Sequence, residues 1–158
     1  MLIFGEYPVR RSIIATLLLA LACLASLPSR GAAALGQGEA RSAAQQVGSA
    51  LRQGNPSLLR AVLPARGNVQ LRLQVLGPVD GSFSPGQVEA LLQDFFRQGS
   101  ASSFELLSVE HDPQHYALAR GRATLTDRQG RPASVDLHLA FQPEDGRWVL
   151  REIRETQQ

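Results

Sequence analysis

The chain has 158 residues, with sixteen basic and fourteen acidic side chains and a single cysteine. It contains no lysine, which removes Schiff-base, phosphate-loop and Ser-Lys chemistry. The net charge of +2 comes from residues 1–34, and the rest balances thirteen Arg against thirteen acids, so nothing argues for nucleic-acid binding.

Residues 1–34 read as a secretory signal peptide. Arg10 and Arg11 close a short basic region, Ile13 to Leu27 is apolar, and Ala32-Ala33-Ala34 offers a cleavage site, cut after Ala34. The apolar run is shorter than the roughly 20 residues that a span needs, which argues against an uncleaved anchor. The membrane is therefore expected to matter only through the leader. Cys23 follows Ala20-Leu21-Ala22 and precedes Leu24, a poor match to a lipid-anchoring signal. Cleavage after Ala34 leaves no cysteine, hence no disulfide and no thiolate site. The expectation is an exported protein, periplasmic or extracellular, with residues 35–158 forming one domain that is large enough for one core.

Glu39 to Gln53 reads as a helix, because Ala40, Ala43, Ala44, Val47 and Leu51 recur at helical spacing and Gly54 follows. Its apolar stripe is rich in small residues and suits close approach to a partner. Asn55 caps a second, short helix with Pro56 in its first turn and Leu58, Leu59, Val62 and Leu63 inward. Asn68 to Leu76 switches to a period of two and reads as a strand with one wet face. Gly77 to Gly81 is a turn, with Ser82-Phe83 returning as a short paired strand. Ser84, Pro85 and Gln87 form the capping signature of a third helix, and Val88, Leu91, Leu92, Phe95 and Phe96 its apolar stripe. Gly99 to Ser103 reads as a linker.

Four antiparallel strands complete the chain: Phe104–His111, Tyr116–Thr126, Ala133–Gln142 and Arg147–Glu155. The third alternates most clearly, with Ala133, Val135, Leu137, Leu139 and Phe141 on one face and Ser134, Asp136, His138 and Gln142 on the other. Burying its large residues contributes about 1.5–3 kcal/mol each before entropy costs. In the second strand Ala117, Ala119, Gly121 and Ala123 share a face, which again suggests a closely packed layer. Asp112-Pro113-Gln114, Asp127-Arg128-Gln129-Gly130 and Glu144-Asp145-Gly146 carry turn chemistry.

This order of elements resembles the nuclear transport factor 2-like superfamily. The phrases Ala50-Leu51-Arg52-Gln53-Gly54-Asn55, Gly81-Ser82-Phe83-Ser84, Leu91-Leu92-Gln93-Asp94-Phe95-Phe96 and Gly146-Arg147-Trp148-Val149-Leu150 are similar to those of an uncharacterised group of small exported bacterial domains within it. The resemblance covers nearly all of residues 40–155. It implies an α+β fold: a cone-shaped, curved antiparallel sheet of four main strands plus a short strand pair, covered by three N-terminal helices. The shared phrases are structural and imply no active-site residues.

Enzymes of that superfamily work inside the cone with an acid or base and an oxyanion donor. Here the inward parity of the third strand is apolar. A site of Tyr116 with Glu105 or Glu152 is the enzymatic alternative, an isomerase- or dehydratase-like activity with its pocket between the third helix and the sheet. His111, Asp112 and His115 crowd one turn, and with His138 could be read as a zinc site, but a polar turn is the better explanation. Gly81 to Gly86 is better explained as turn and helix cap than as a serine nucleophile. No catalytic residue, metal or cofactor is therefore assigned. Phe95, Phe96, Tyr116, Phe141 and Trp148 are the candidate ligand-pocket residues. Arg120, Arg122, Asp136 and His138 are the candidate partner face, for a homodimer or another protein. The expected function is that of a non-catalytic exported domain, a protein-interaction or small-ligand-binding module.

Overall fold

The computed structural model describes residues 35–99, 101–126 and 130–156. The leader, its cleavage point, Cys23 and most of the Asp127–Gly130 turn lie outside the described residues.

The chain runs α1 (Gln37–Gln53), a 3-10 helix (Pro56–Ala61), β1 (Val69–Leu73), β2 (Val79–Phe83), α2 (Pro85–Gln98), β3 (Ala101–Asp112), β4 (Tyr116–Thr126), β5 (Pro132–Glu144) and β6 (Arg147–Thr156). All six strands join one sheet, in the order β2-β1-β6-β5-β4-β3. The expectation of an antiparallel sheet with a separate strand pair needs correcting. β1 lies beside β6 and runs parallel to it, with Leu71 opposite Ile153, so the sheet is mixed and the hairpin is part of it. A parallel neighbour has no connecting turn, so no local signal marks it.

Helix ends follow local chemistry. Gly54 takes φ 59° and closes α1, a left-handed conformation that costs glycine little. The Asn55 side chain accepts from the Ser57 N–H at 3.1 Å and starts the 3-10 helix. At α2, the Gln87 side chain accepts from the Ser84 N–H at 2.9 Å and from its hydroxyl at 3.0 Å. The β5–β6 turn uses Asp145 and Gly146 at φ 50° and 76°, the conformation of a two-residue hairpin.

Helix α1 packs against β3, β4 and β6, and α2 against the 3-10 helix and β2. The small residues of both partners allow the first of these. Ala40, Ala44 and Val47 are buried against a sheet whose Ala117, Ala119 and Ala123 are equally buried. Phe104 of β3 is the wedge. A Cβ at Gly48 of α1 would stand 2.2 Å from its ring, and a Cβ at Gly121 of β4 2.3 Å from it. The ring thus occupies space that only two glycines leave open.

Three expected boundaries move. The turn expected over Gly77 to Gly81 ends early, because β2 begins at Val79. The strand expected to reach Leu76 stops at Leu73, because the Glu155 carboxylate accepts the N–H groups of Gln74, Val75 and Leu76 at 2.6, 2.7 and 2.7 Å. The expected linker from Gly99 to Ser103 is instead the start of β3 at Ala101. β3 also shifts register between Leu106 and Ser108, and the β5–β6 pairing shifts between Ala140 and Phe141, with Arg151 as the extra residue. The second shift reverses parity, so that Ile153 joins the core while Glu152 and Arg154 turn to the opposite face. Arg147 donates to the carbonyls of Ala61 and Leu63, and Arg151 to that of Arg66, tying the end of the 3-10 helix to this hairpin.

Candidate functional site

The sheet has one face packed under α1 and one face with no helix on it among the described residues. On the covered face Val135, Leu137, Leu139 and Phe141 of β5 meet Leu71 of β1, Leu150 and Ile153 of β6 and the α1 stripe, all buried. Asp136, on the other parity, is the one buried charged residue among those described.

At one end of this covered side lies a pocket of about 460 Å³. Its walls are the β1–β2 loop (Leu73 to Val79), Leu91, Leu92 and Phe95 of α2, and the end of β4 at Thr126. The side chains are mainly apolar. Its acid, Asp94, is exposed and pairs with Arg97 at 3.3 Å. The loop wall is fixed by the three N–H groups that Glu155 holds, so a carboxylate from β6 sets the mouth of a pocket it does not line.

The expected pocket aromatics occupy separate places. Phe95 lines this pocket and meets Phe96 edge-on, with ring centroids 5.3 Å apart. Phe96 stands beside Gly54. Phe141 is buried in the core. Trp148 is buried beside a groove of about 220 Å³ under α1, its Nε1 without a hydrogen-bond partner among the described residues. Tyr116 is exposed on the uncovered face. Glu105 and Glu152 share that face with Tyr116 but stand in different cross-strand rows, opposite Arg122 and Ala140.

The expected partner-face residues do come together. Arg122 is paired with Asp136 and Arg120 with His138 across β4 and β5. Arg122 donates to both Asp136 oxygens, at 2.8 and 3.3 Å, and this raises the guanidinium pKa further. His138 is held below the ordinary imidazole value by partial burial and by the charges of Arg120 and Arg154. A concavity of about 250 Å³ lies here, lined by Glu110, Leu118, Arg120, His138, Glu152 and Arg154 among others.

In the β3–β4 turn, His115 Nδ1 stands 3.0 Å from Asp112. The Asp112 carboxyl is held below its usual range, first by the Gln114 N–H and then by His115. Among the described residues no group of three His, Asp or Glu side chains is placed to share a metal ion.

No protein-family model and no curated protein matches the chain. Solved structures do. A ketosteroid isomerase-like protein from Erwinia carotovora atroseptica superposes with a TM-score of 0.59 at 12% identity, over 77% of this chain and 97% of that one. A DUF4783 family protein from Bacteroides fragilis gives 0.56 at 21% identity, over 72% and 96%. The chain has the nuclear transport factor 2-like fold. A further structure with it, a DUF4783 family protein from Bacteroides uniformis, gives 0.57 at 14% identity, over 72% and 95%. At these identities the likeness carries the fold alone.

Sequence reasoning missed Glu155 as the clamp of the β1–β2 loop, and missed Arg72 and Arg154 on the uncovered face. The alternation of Val69 to Val75 hid the first. The parallel β1–β6 pairing and the register shift at Arg151 hid the others, since neither leaves a local mark in the sequence.

Proposed function

We propose that this chain is a non-catalytic binding module whose pocket between α2 and the β1–β2 loop takes a small, mainly apolar molecule. One observation carries this reading: a pocket of about 460 Å³, in the size range of small-molecule sites, walled by Leu73, Leu76, Leu91, Leu92 and Phe95. An isomerase-like reaction needs a positioned acid or base. The acid of this pocket, Asp94, stands exposed beside Arg97, which favours binding over proton transfer.

The test is titration with an uncharged solvatochromic dye, Nile red, followed by fluorescence. Leu91→Trp, which fills the pocket from a half-buried position, should weaken binding by about tenfold or more. Tyr116→Ser, on the other side of the sheet, should leave it unchanged. Equal dye affinity in Leu91→Trp, at an unchanged melting temperature, would remove the proposal.

Export belongs to the same reading. Arg10-Arg11, the apolar run to Leu27 and Ala32-Ala33-Ala34 support a leader that is removed after Ala34. Mass spectrometry of the protein from the culture or periplasm should then find Leu35 at the N-terminus. A chain retaining Met1 would contradict it.

A further inference from the structure

The uncovered face holds a second arrangement, independent of the apolar pocket. Arg72 of β1 is in register with Arg154 of β6, Arg154 with His138 of β5, and His138 with Arg120 of β4. In-register neighbours on adjacent strands project from the same face, so four basic side chains form one row across four strands. At a strand spacing of about 4.8 Å the row is roughly 14 Å long.

Three permanent like charges in one row, Arg72, Arg154 and Arg120, are unfavourable unless something compensates them. The compensation within the described residues is loose. Arg154 stands 3.8 Å from Glu152. Arg120 stands 3.8 Å from an Asp136 carboxylate that Arg122 already holds at 2.8 Å. Arg72 is in register with Asp80 of β2, but no hydrogen bond or ion pair joins the two among the described residues, and Asp80 instead accepts from Gln70 at 3.5 Å. Compare the neighbouring row, where Arg122 donates to both oxygens of Asp136, at 2.8 and 3.3 Å. The basic row also lies along two adjoining concavities. Arg120, His138 and Arg154 line one of about 250 Å³, and Arg72 and Arg154 line an open one of about 460 Å³. Arg154 belongs to both.

From this geometry we infer that the row Arg72–Arg154–His138–Arg120 is a binding site for a small ligand carrying two or more oxyanion groups. Planar guanidiniums suit phosphate and carboxylate alike, and their spacing favours separated negative groups over a single one. Leu118 and Ala140, on the flanking row, supply an apolar edge. Acids line both concavities as well, Glu110 and Glu152 the first and Asp80 and Glu155 the second, and they confine an anion to the row itself.

The groups facing His138 set a pH response. Arg120 from β4 and Arg154 from β6 oppose its protonation, while Asp136 of its own strand and Glu152 of β6 favour it. A bound anion adds to the favourable side. Binding therefore tightens as the pH falls through the lowered range in which His138 gains its proton.

The experiment is isothermal titration of the purified protein with inorganic phosphate, tripolyphosphate and citrate at fixed ionic strength. Tripolyphosphate or citrate should bind about tenfold or more tightly than inorganic phosphate, the charge-assisted contacts of a second anionic group making the difference. Which of the two binds better tells a phosphate ligand from a carboxylate one. Arg154→Gln should cost about tenfold or more for both. Arg72→Gln should bring tripolyphosphate down to the level of inorganic phosphate. Arg41→Gln, on α1, should change nothing, and melting temperatures confirm that all variants fold. The inference fails if the multivalent anions bind no better than inorganic phosphate, or if Arg41→Gln weakens them as much as Arg154→Gln. It fails also if Arg154→Gln leaves anion binding intact and instead changes the oligomeric state in light scattering, which would make this face a protein interface.

Discussion

One sheet presents two faces that obey different rules. Under α1 the strands alternate small and large apolar side chains, and the ring of Phe104 fills a gap that Gly48 and Gly121 leave for it. On the other side the same strands carry charges in cross-strand rows, one closed by Arg122 and Asp136, the next a run of basic residues. The difference teaches where ligand chemistry belongs on this fold. The covered side is tightly packed except at the end where α2 meets the β1–β2 loop and at the smaller groove beside Trp148. The uncovered side keeps polar groups that are not fully used among themselves.

The contrast breaks most severely from the covered side. Phe141→Ala, at a residue that is almost fully buried, should destabilise the protein by about 3–5 kcal/mol, read from urea unfolding. A cost below about 1 kcal/mol would mean that the space around Phe141 is not filled. Next comes overpacking. Gly121→Ala puts a methyl into the Phe104 ring and should cost about 1–3 kcal/mol. Phe104→Leu in the same chain should recover part of that loss, giving a coupling in a double-mutant cycle that two independent sites would lack.

The smallest effect sharpens the uncovered side. The folded state holds His138 below its ordinary value, so between that lowered range and about 6.5 the unfolded chain binds more protons. Stability contributed this way is present above the unfolded value and is lost as the pH falls through the window. His138→Gln should therefore flatten the decline of unfolding free energy below neutral pH by a few tenths of a kcal/mol, since the group is only partly buried. An unchanged slope would show that His138 is not held neutral by its partial burial and the charges of Arg120 and Arg154.

Much of this was legible in the residues. The alternation of β5 placed Leu137 and His138 on opposite faces, and the limits of β4, Tyr116 to Thr126, followed from pattern and turns alone. The small-residue stripes of α1 and β4 announced close packing. The glycine that would fail to admit a methyl did not show, because the ring that fills the space comes from Phe104, which is far in sequence from Gly48 and reaches Gly121 diagonally across the β3–β4 pairing. The basic row was half visible. Arg120 and His138 could be paired through a hairpin, whereas Arg154 reached the uncovered face only through the extra residue at Arg151, and Arg72 only through a parallel neighbour. The pocket aromatics were gathered by residue type, and tertiary placement scattered them. The loop that walls the observed pocket is set by Glu155, about eighty residues away in sequence.

The most direct test is a methyl-resolved NMR titration with an uncharged apolar probe such as Nile red. Shifts are expected at Leu73, Leu76, Leu91 and Leu92, around the end of the covered side, with Leu137, Leu139 and Leu150 unmoved. Shifts centred on those three leucines would place the probe inside the layer that is held here to be filled, and would contradict it.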